Sequence, residues 1–150
     1  MEIRLRLALP RDVSSVPVAR RMLKQSMDLL GVEPEIVADL QLALTEACTN
    51  VLDHSTGEDD YDVCAGIDDD RCVLEVIDRG HGFDGSALGH ERAAAGDEDG
   101  RGIHLMRALV DRVAFESLPA KGTVVHLEKR LAWVDDSVAR RWDSEQESRR

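Results

Sequence analysis

The spacing of the hydrophobic residues changes along the chain, and the order of these changes restricts the possible folds. Residues 2–9 alternate charged or small side chains with Ile or Leu, a period of two that predicts a strand with one face toward water. Residues 16–30 and 36–51 instead carry an apolar side chain every three or four positions, which predicts two amphipathic helices. Gly31 is a typical helix stop, and Pro34 favours the start of the second helix.

The second half of the chain predicts two hairpins with a loop and a helix between them. Strands at 61–67 and 72–78 flank a tight acidic turn, and strands at 113–118 and 123–131 flank a turn with Pro119 and Gly122. Residues 79–101 are rich in Gly, Ala and acidic residues without a sustained period, which is typical of a long functional loop. A third helix, with apolar positions between 103 and 113, is predicted to begin directly at the glycines of 100–102.

This order of elements predicts an α+β fold. We expect a two-layer α/β sandwich in which a mixed, mostly antiparallel sheet carries the helices on one face. The length of 150 residues suits a single domain. We place that domain at residues 1–131 and predict that residues 132–150, which are mostly polar, form a tail that is frayed or a short solvated helix.

An acidic charge balance limits the classes of partner. With a net charge of -11, the chain is repelled by phosphate backbones, so we expect no direct binding of nucleic acid. The first residues contain no apolar run long enough for a signal peptide or a membrane span, so we expect no membrane association and a cytoplasmic location. The three cysteines, an odd number without close pairing, indicate neither a disulfide framework nor a zinc site.

Polar residues four positions apart interrupt the apolar pattern of the second helix. Glu46, Asn50 and His54 project from nearly the same face. An Asn carbonyl oxygen, together with phosphate oxygens, suits Mg²⁺, and a neighbouring carboxylate can accept a proton from an attacking hydroxyl. A solvated polar face would show the same triplet and is the commoner case, so the spacing leaves both interpretations open.

Two glycine-containing segments lie where predicted elements begin or end. Residues 78–82 read Asp-Arg-Gly-His-Gly at a strand end, where a carboxylate can accept a hydrogen bond from an adenine amino group and the glycines leave room for a flat base. Gly100-Arg101-Gly102 opens the third helix, where free amides and the helix dipole favour a phosphate and Arg101 would add positive charge. An ordinary turn and a loop hinge without a ligand are the alternatives.

Taken together and in order, residues 46–50, 78–83 and 100–105 resemble the three nucleotide-binding boxes of the GHKL ATPase superfamily. The resemblance covers about residues 1–131, and the chain looks most like the bacterial anti-sigma factor serine/threonine kinases of partner-switching systems. This resemblance implies a Bergerat, or histidine-kinase-like, ATPase fold and the binding of ATP with Mg²⁺.

The resemblance also implies a role for each matched position. Glu46 matches the general base, Asn50 the Mg²⁺ ligand at the nucleotide, and Asp78 the aspartate that binds adenine. The remaining matched positions bind the nucleotide in such proteins, at the base, the phosphates or beside the adenine-binding aspartate: Gly80, Gly82, Gly100, Arg101, Gly102 and Thr123. Arg20 falls where related anti-sigma factors contact the sigma factor.

The implied function is that of an ATP-binding anti-sigma factor. It would sequester a sigma factor and phosphorylate a serine or threonine on an anti-anti-sigma factor, a STAS-domain antagonist, and it would form a homodimer. His104 stands where many relatives have a third glycine. The alternative is therefore an ATP-responsive binding adaptor or switch protein with little kinase activity.

Overall fold

The computed structural model describes residues 1–54, 60–78, 98–118 and 122–150. The strands and helices follow in chain order: β1 (Glu2–Leu9), α1 (Ser15–Leu30), α2 (Pro34–His54), β2 (Tyr61–Asp68), β3 (Arg71–Asp78), α3 (Glu98–Leu109), β4 (Arg112–Leu118), β5 (Gly122–Arg130) and α4 (Val138–Ser148). Most of the predicted loop at 79–101, up to residue 97, lies outside the described residues.

The five strands form one sheet in the order β1-β2-β3-β5-β4. Each of the four pairings between these strands is antiparallel. Both predicted hairpins are present, and in the first the carboxylate of Asp68 fixes the turn by accepting the backbone amides of Asp70 and Arg71, each at 2.8 Å. The α+β prediction is confirmed.

The core lies between one face of this sheet and the helices. In the sheet, Leu5 lies opposite Ala65, Ala65 opposite Leu74, and Leu74 opposite Leu127, so one apolar row crosses four strands. The buried helical residues that cover this face include Ala19, Leu23, Met27, Leu40, Leu44 and Ala47. Helix α2 packs against both α1 and α3, which makes it the central helix of the layer.

The opposite face of the sheet is polar. One cross-strand row there runs through Arg6, Cys64, Glu75 and His126. The Nε2 atom of His126 lies 2.8 Å from Oε1 of Glu128, and this contact is the largest cause that lowers the pKa of Glu128. The alternation of side chains predicted for β1, between a face toward solvent and a face toward the core, therefore holds for the neighbouring strands as well.

Helix α1 ends at Gly31 as predicted, and its first residue follows an N-cap whose side chain makes no capping bond. Gly31 takes a left-handed φ of 91°, and its amide donates to the carbonyls of Met27 and Asp28, which closes the helix. Ser14 is the N-cap residue, yet its side chain makes no capping bond. Asp12 instead accepts the Ser14 amide at 2.8 Å, and this bond lowers the pKa of Asp12.

Helix α3 begins at Glu98, earlier than predicted. Gly100 and Gly102 therefore lie inside the first turn and a half of the helix rather than before it. The prediction followed the apolar spacing, which starts only at Ile103. Acidic residues such as Glu98 and Asp99 favour a helix N-terminus through the helix dipole, but they add nothing to an apolar period.

The C-terminal segment is partly packed. Val32 bridges to Trp133, whose indole Nε1 donates to the Asp69 carbonyl at 2.9 Å. The hydroxyl of Ser137 caps α4, and Ala139 in that helix is buried. The segment is thus a short helix tied to the body of the fold at its start. No helix in the described ranges is long and apolar enough to cross a membrane.

Candidate functional site

Helix α2 brings Glu46 and Asn50 to one side of the fold. Both side chains are half-buried, one helical turn apart. The buried residues Ala47 and Val51 hold the adjoining face of α2 in the core, so the polar pair has a fixed direction. His54 ends the helix, and its side chain lies outside the described residues. The spacing of Glu46 and Asn50 thus produces the common face that the sequence predicts.

Asp78 is a buried acid at the end of β3. It is only 1% exposed, and its neighbours in the sheet register are Tyr61 on β2 and Thr123 on β5. Thr123 is 2% exposed, and its Oγ1 atom has no hydrogen-bond partner among the residues that the structure describes. A buried hydroxyl without a partner is unfavourable in a folded protein, which points to a ligand or water in this place. The sheet therefore brings two of the predicted site residues side by side.

Arg11 is a member of this site that the sequence analysis missed. Its Nη2 atom donates to Oδ1 of Asp78, and the Arg11 side chain is 11% exposed. The residue lies in the turn between β1 and α1, where the sequence shows no motif. The strand register explains this position. Leu9 pairs with Tyr61 and Tyr61 pairs with Asp78, which brings the end of β1, and the turn after it, near the end of β3.

The side chain of Tyr61 links this end of the sheet to both long helices. The hydroxyl of Tyr61 lies 2.6 Å from Oγ of Ser15 at the start of α1. Tyr61 also contacts Cys48 on α2. Burial raises the pKa of the Tyr61 hydroxyl and the pKa of the Cys48 thiol to about 12. Both groups are therefore neutral at physiological pH. They hold the start of α1 and the middle of α2 in fixed positions beside Asp78.

Helix α3 approaches Glu46 through a glycine. A Cβ atom added to Gly102 would lie 2.9 Å from Oε2 of Glu46, a distance that real Cβ contacts essentially never show. The carboxylate thus lies directly against the backbone of α3. Gly100, one half-turn earlier, occupies a position whose amide has no partner within a helix. The structure therefore brings Glu46 to the start of α3.

The other predicted residues are placed as follows. Arg101 and His104 are exposed on α3, and Arg20 is half-buried on α1. Gly80 and Gly82 lie outside the described residues. Within the described ranges, no group of three or more His, Cys, Asp or Glu side chains could hold a metal ion.

The sequence matches the histidine kinase-like ATPase domain family over residues 9–129. It is similar to the anti-sigma F factor of Clostridium acetobutylicum, at 29% identity over 68% of this chain and 76% of the relative. It is also similar to the serine-protein kinase RsbW of Bacillus subtilis, at 27% identity over 85% of each chain. These matches confirm the resemblance that the three motifs indicate.

Two solved structures share the fold. One contains the RsbU and RsbW domains of Rv1364c from Mycobacterium tuberculosis, with a TM-score of 0.67 and 22% identity; the match covers 86% of this chain and 32% of that longer chain. The other is the SiaB-SiaC complex from Pseudomonas aeruginosa, with a TM-score of 0.59 and 12% identity over 84% of this chain and 88% of the matched chain.

Proposed function

Since the chain belongs to the histidine kinase-like ATPase family, which implies the use of ATP, we propose that it is an ATP-binding anti-sigma factor with protein serine/threonine kinase activity. In this proposal it sequesters a sigma factor and phosphorylates an anti-anti-sigma factor. The names of its relatives, anti-sigma F factor and serine-protein kinase, support this assignment. The structural observation that carries the proposal is the Glu46 carboxylate held against Gly102 at the start of α3.

The end of the sheet supplies the adenine site. Asp78 accepts a hydrogen bond from the adenine amino group, and the hydroxyl of Thr123 bonds to the same base or to a water beside it. Two observations support this role: Asp78 is buried next to Thr123 in the register, and the Thr123 Oγ1 atom has no partner among the described residues. Gly80 and Gly82 follow Asp78 directly and are proposed to leave room for the base.

The start of α3 supplies the phosphate site. Gly100 and Gly102 let the phosphates approach the helix backbone, and the amide of Gly100 and the positive end of the helix dipole face them. Arg101 is exposed there and adds positive charge. Asn50 would hold Mg²⁺ with its side-chain oxygen. Bound Mg²⁺ would neutralise charge on the triphosphate, which this acidic chain needs.

Glu46 is the proposed general base. Its carboxylate takes the proton from the hydroxyl of the target serine or threonine while that oxygen forms a bond to the γ-phosphorus of ATP. The bond between the γ-phosphorus and the oxygen that bridges to the β-phosphate breaks, and ADP leaves with this bridging oxygen. The contact of Glu46 with Gly102 fixes the carboxylate beside the proposed phosphate site.

Replacing Gly102 with alanine tests this contact. The new methyl group pushes the carboxylate of Glu46 aside, and we expect phosphotransfer to slow by about tenfold or more because the base is misplaced. The free energy of unfolding should stay constant or rise by up to about 1 kcal/mol, since alanine favours a helix over glycine. Urea denaturation and a transfer assay measure the two effects.

Gly66→Ala is the matched control for Gly102→Ala. Gly66 lies in β2, and an added Cβ there meets nothing within 4 Å. This variant should transfer phosphate at the wild-type rate. A Gly102→Ala protein that also transfers at the wild-type rate would contradict the proposed position of Glu46.

Arg20 on α1 is the proposed contact for the sigma factor. The residue is half-buried, so its stem is held by the fold while its charge reaches the surface. We expect Arg20→Glu to weaken sigma-factor binding by about tenfold or more, because a repulsive charge replaces a favourable one at an interface. ATP binding should not change. Capture of the purified sigma factor on each protein provides the measurement, with Arg21→Glu as the exposed control on the same helix.

A homodimer is the proposed assembly. β1 stands at the end of the strand order, and α1 exposes Val18, Met22 and Leu29 along one side. Exposed apolar residues in a row favour contact with another protein surface. Light scattering over a range of concentrations tests this assembly, and a monomer at every concentration would contradict it.

A single-turnover reaction separates the kinase from the alternative adaptor. The chain is mixed with labelled Mg·ATP and a purified STAS-domain antagonist from the same cell. The kinase proposal requires labelled phosphoserine or phosphothreonine on the antagonist. Binding and partner exchange without label would favour the adaptor instead. His104 is exposed on α3, and Glu46 lies against Gly102 in the same structure. The histidine therefore does not displace the proposed base, which favours the kinase.

A further inference from the structure

Arg11 forms an ion pair with Asp78, the proposed adenine-binding residue. Its guanidinium donates to Oδ1 of Asp78, and the two side chains are 11% and 1% exposed. A buried carboxylate is costly unless a counter-charge and hydrogen bonds stabilise it. Arg11 supplies a positive charge to Asp78, and it approaches from the turn between β1 and α1.

Adenine cannot take over the role of this arginine. The amino group of adenine is uncharged, so it can donate a hydrogen bond to Asp78 but cannot balance its charge. A carboxylate has two oxygens with about four lone-pair sites, which is enough for a guanidinium and an amino group at once. Moving Arg11 away to admit the base would also take its positive charge from the buried carboxylate of Asp78.

We propose that Arg11 is a positioning residue for adenine recognition, which keeps the carboxylate of Asp78 charged and oriented so that it accepts the adenine amino group. This inference rests on the proposed function. It adds to the site a residue outside the three nucleotide motifs. Arg11 acts through Asp78 and need not touch the nucleotide.

Hydrogen bonds order the turn that carries Arg11. The carbonyl of Pro10 accepts the Asp12 amide at 2.8 Å, and the carbonyl of Asp12 accepts the Ser15 hydroxyl at 2.6 Å. Ser15 in turn bonds to Tyr61, the register partner of Asp78. The turn that carries Arg11 is therefore tied to the same end of the sheet as Asp78, and the ion pair with Asp78 orients the guanidinium, so that little ordering is needed when the base arrives.

The test compares two nucleotides that differ at the base. Titrations of the full chain with Mg·ATP and with Mg·ITP, whose base has an oxygen in place of the amino group, share the triphosphate and its contacts. Arg11→Met should weaken Mg·ATP binding by about tenfold, as expected for loss of a charge-assisted hydrogen bond. Binding of Mg·ITP should change by less than about twofold, because its base has no amino group to donate to Asp78.

Two further variants sharpen the comparison. Arg11→Lys keeps the charge and should recover Mg·ATP binding to within about threefold of wild type, since only the fork geometry is lost. Arg4→Met removes an arginine of β1 that is 83% exposed and pairs with Glu2, and it should change neither affinity. If Arg11→Met does not fold, the same titrations use Arg11→Gln instead. This variant removes the charge but keeps a polar side chain.

The outcomes distinguish the inference from the proposed function. A wild-type chain that does not bind Mg·ATP contradicts both. In the other case, the wild type prefers Mg·ATP. The inference alone is then contradicted if Arg11→Met weakens binding of both nucleotides equally, or if it binds Mg·ATP more tightly than the wild type. Equal losses would mean that Arg11 only supports the fold, and tighter binding would mean that it competes with adenine.

Discussion

Glu46→Gln should reduce phosphotransfer to the antagonist by about 10²- to 10⁴-fold, the usual contribution of a general base. The substitution keeps the size of the side chain and its place against Gly102 but removes the ability to take a proton. Binding of Mg·ATP should change by less than about threefold, because the base acts only on the attacking hydroxyl. Single-turnover transfer rates and nucleotide titrations on the same preparations measure the two quantities.

Glu35→Gln is the matched control for this experiment. Glu35 lies in the first turn of the same helix and is exposed, three turns away from Glu46. It should transfer phosphate at the wild-type rate. A Glu46→Gln protein as fast as this control would remove Glu46 from the chemistry and leave the ATP-responsive adaptor as the better assignment.

Asp78→Asn should weaken Mg·ATP binding by about tenfold or more, because a neutral amide replaces a charged hydrogen-bond acceptor. The same change removes the negative charge that pairs with Arg11, whose side chain is only 11% exposed. We therefore expect the free energy of unfolding to fall by about 1–3 kcal/mol as well. Nucleotide titration and urea denaturation measure these losses separately, at a temperature where both proteins are folded.

Asp62→Asn separates the loss of binding from the loss of stability. Asp62 is as buried as Asp78 and also pairs with an arginine, since Nη2 of Arg6 lies 2.8 Å from its Oδ2 atom. It lies on β2, one residue after the register partner of Asp78. This variant should lose stability but keep its affinity for Mg·ATP. Equal losses of affinity in both variants would show that the effect of Asp78→Asn is a general weakening of the fold.

The elements with a regular apolar period were predictable from the sequence. The observed bounds are close to those expected for β1, α1, α2 and both hairpins. Each of these elements buries one face, so its apolar residues recur with the period of a strand or a helix. The start of α3 was predicted wrongly, since glycine and acidic residues in its first turn carry no such period. The predicted features at 79–97, including Gly80 and Gly82, lie outside the described residues and stay predictions.

The candidate site was predictable only where residues stand close in sequence or at helical spacing. Glu46 and Asn50 share a helix, so their common face followed from a spacing of four. The place of Arg11 beside Asp78 depends on a separation of 67 residues. It is set by the pairing of β1 with β2 and of β2 with β3, and a single sequence does not reveal that register.

The central claim is that one site on this chain binds ATP and that Asp78 recognises its base. Calorimetric titration of the wild-type chain with Mg·ATP and with Mg·GTP tests it most directly, because the two ligands share the triphosphate and differ at the base. We predict one site per chain and binding of Mg·ATP at least about tenfold tighter than that of Mg·GTP, because the oxygen of guanine would face a carboxylate. Equal affinity for the two nucleotides, or no binding of Mg·ATP, would contradict the account.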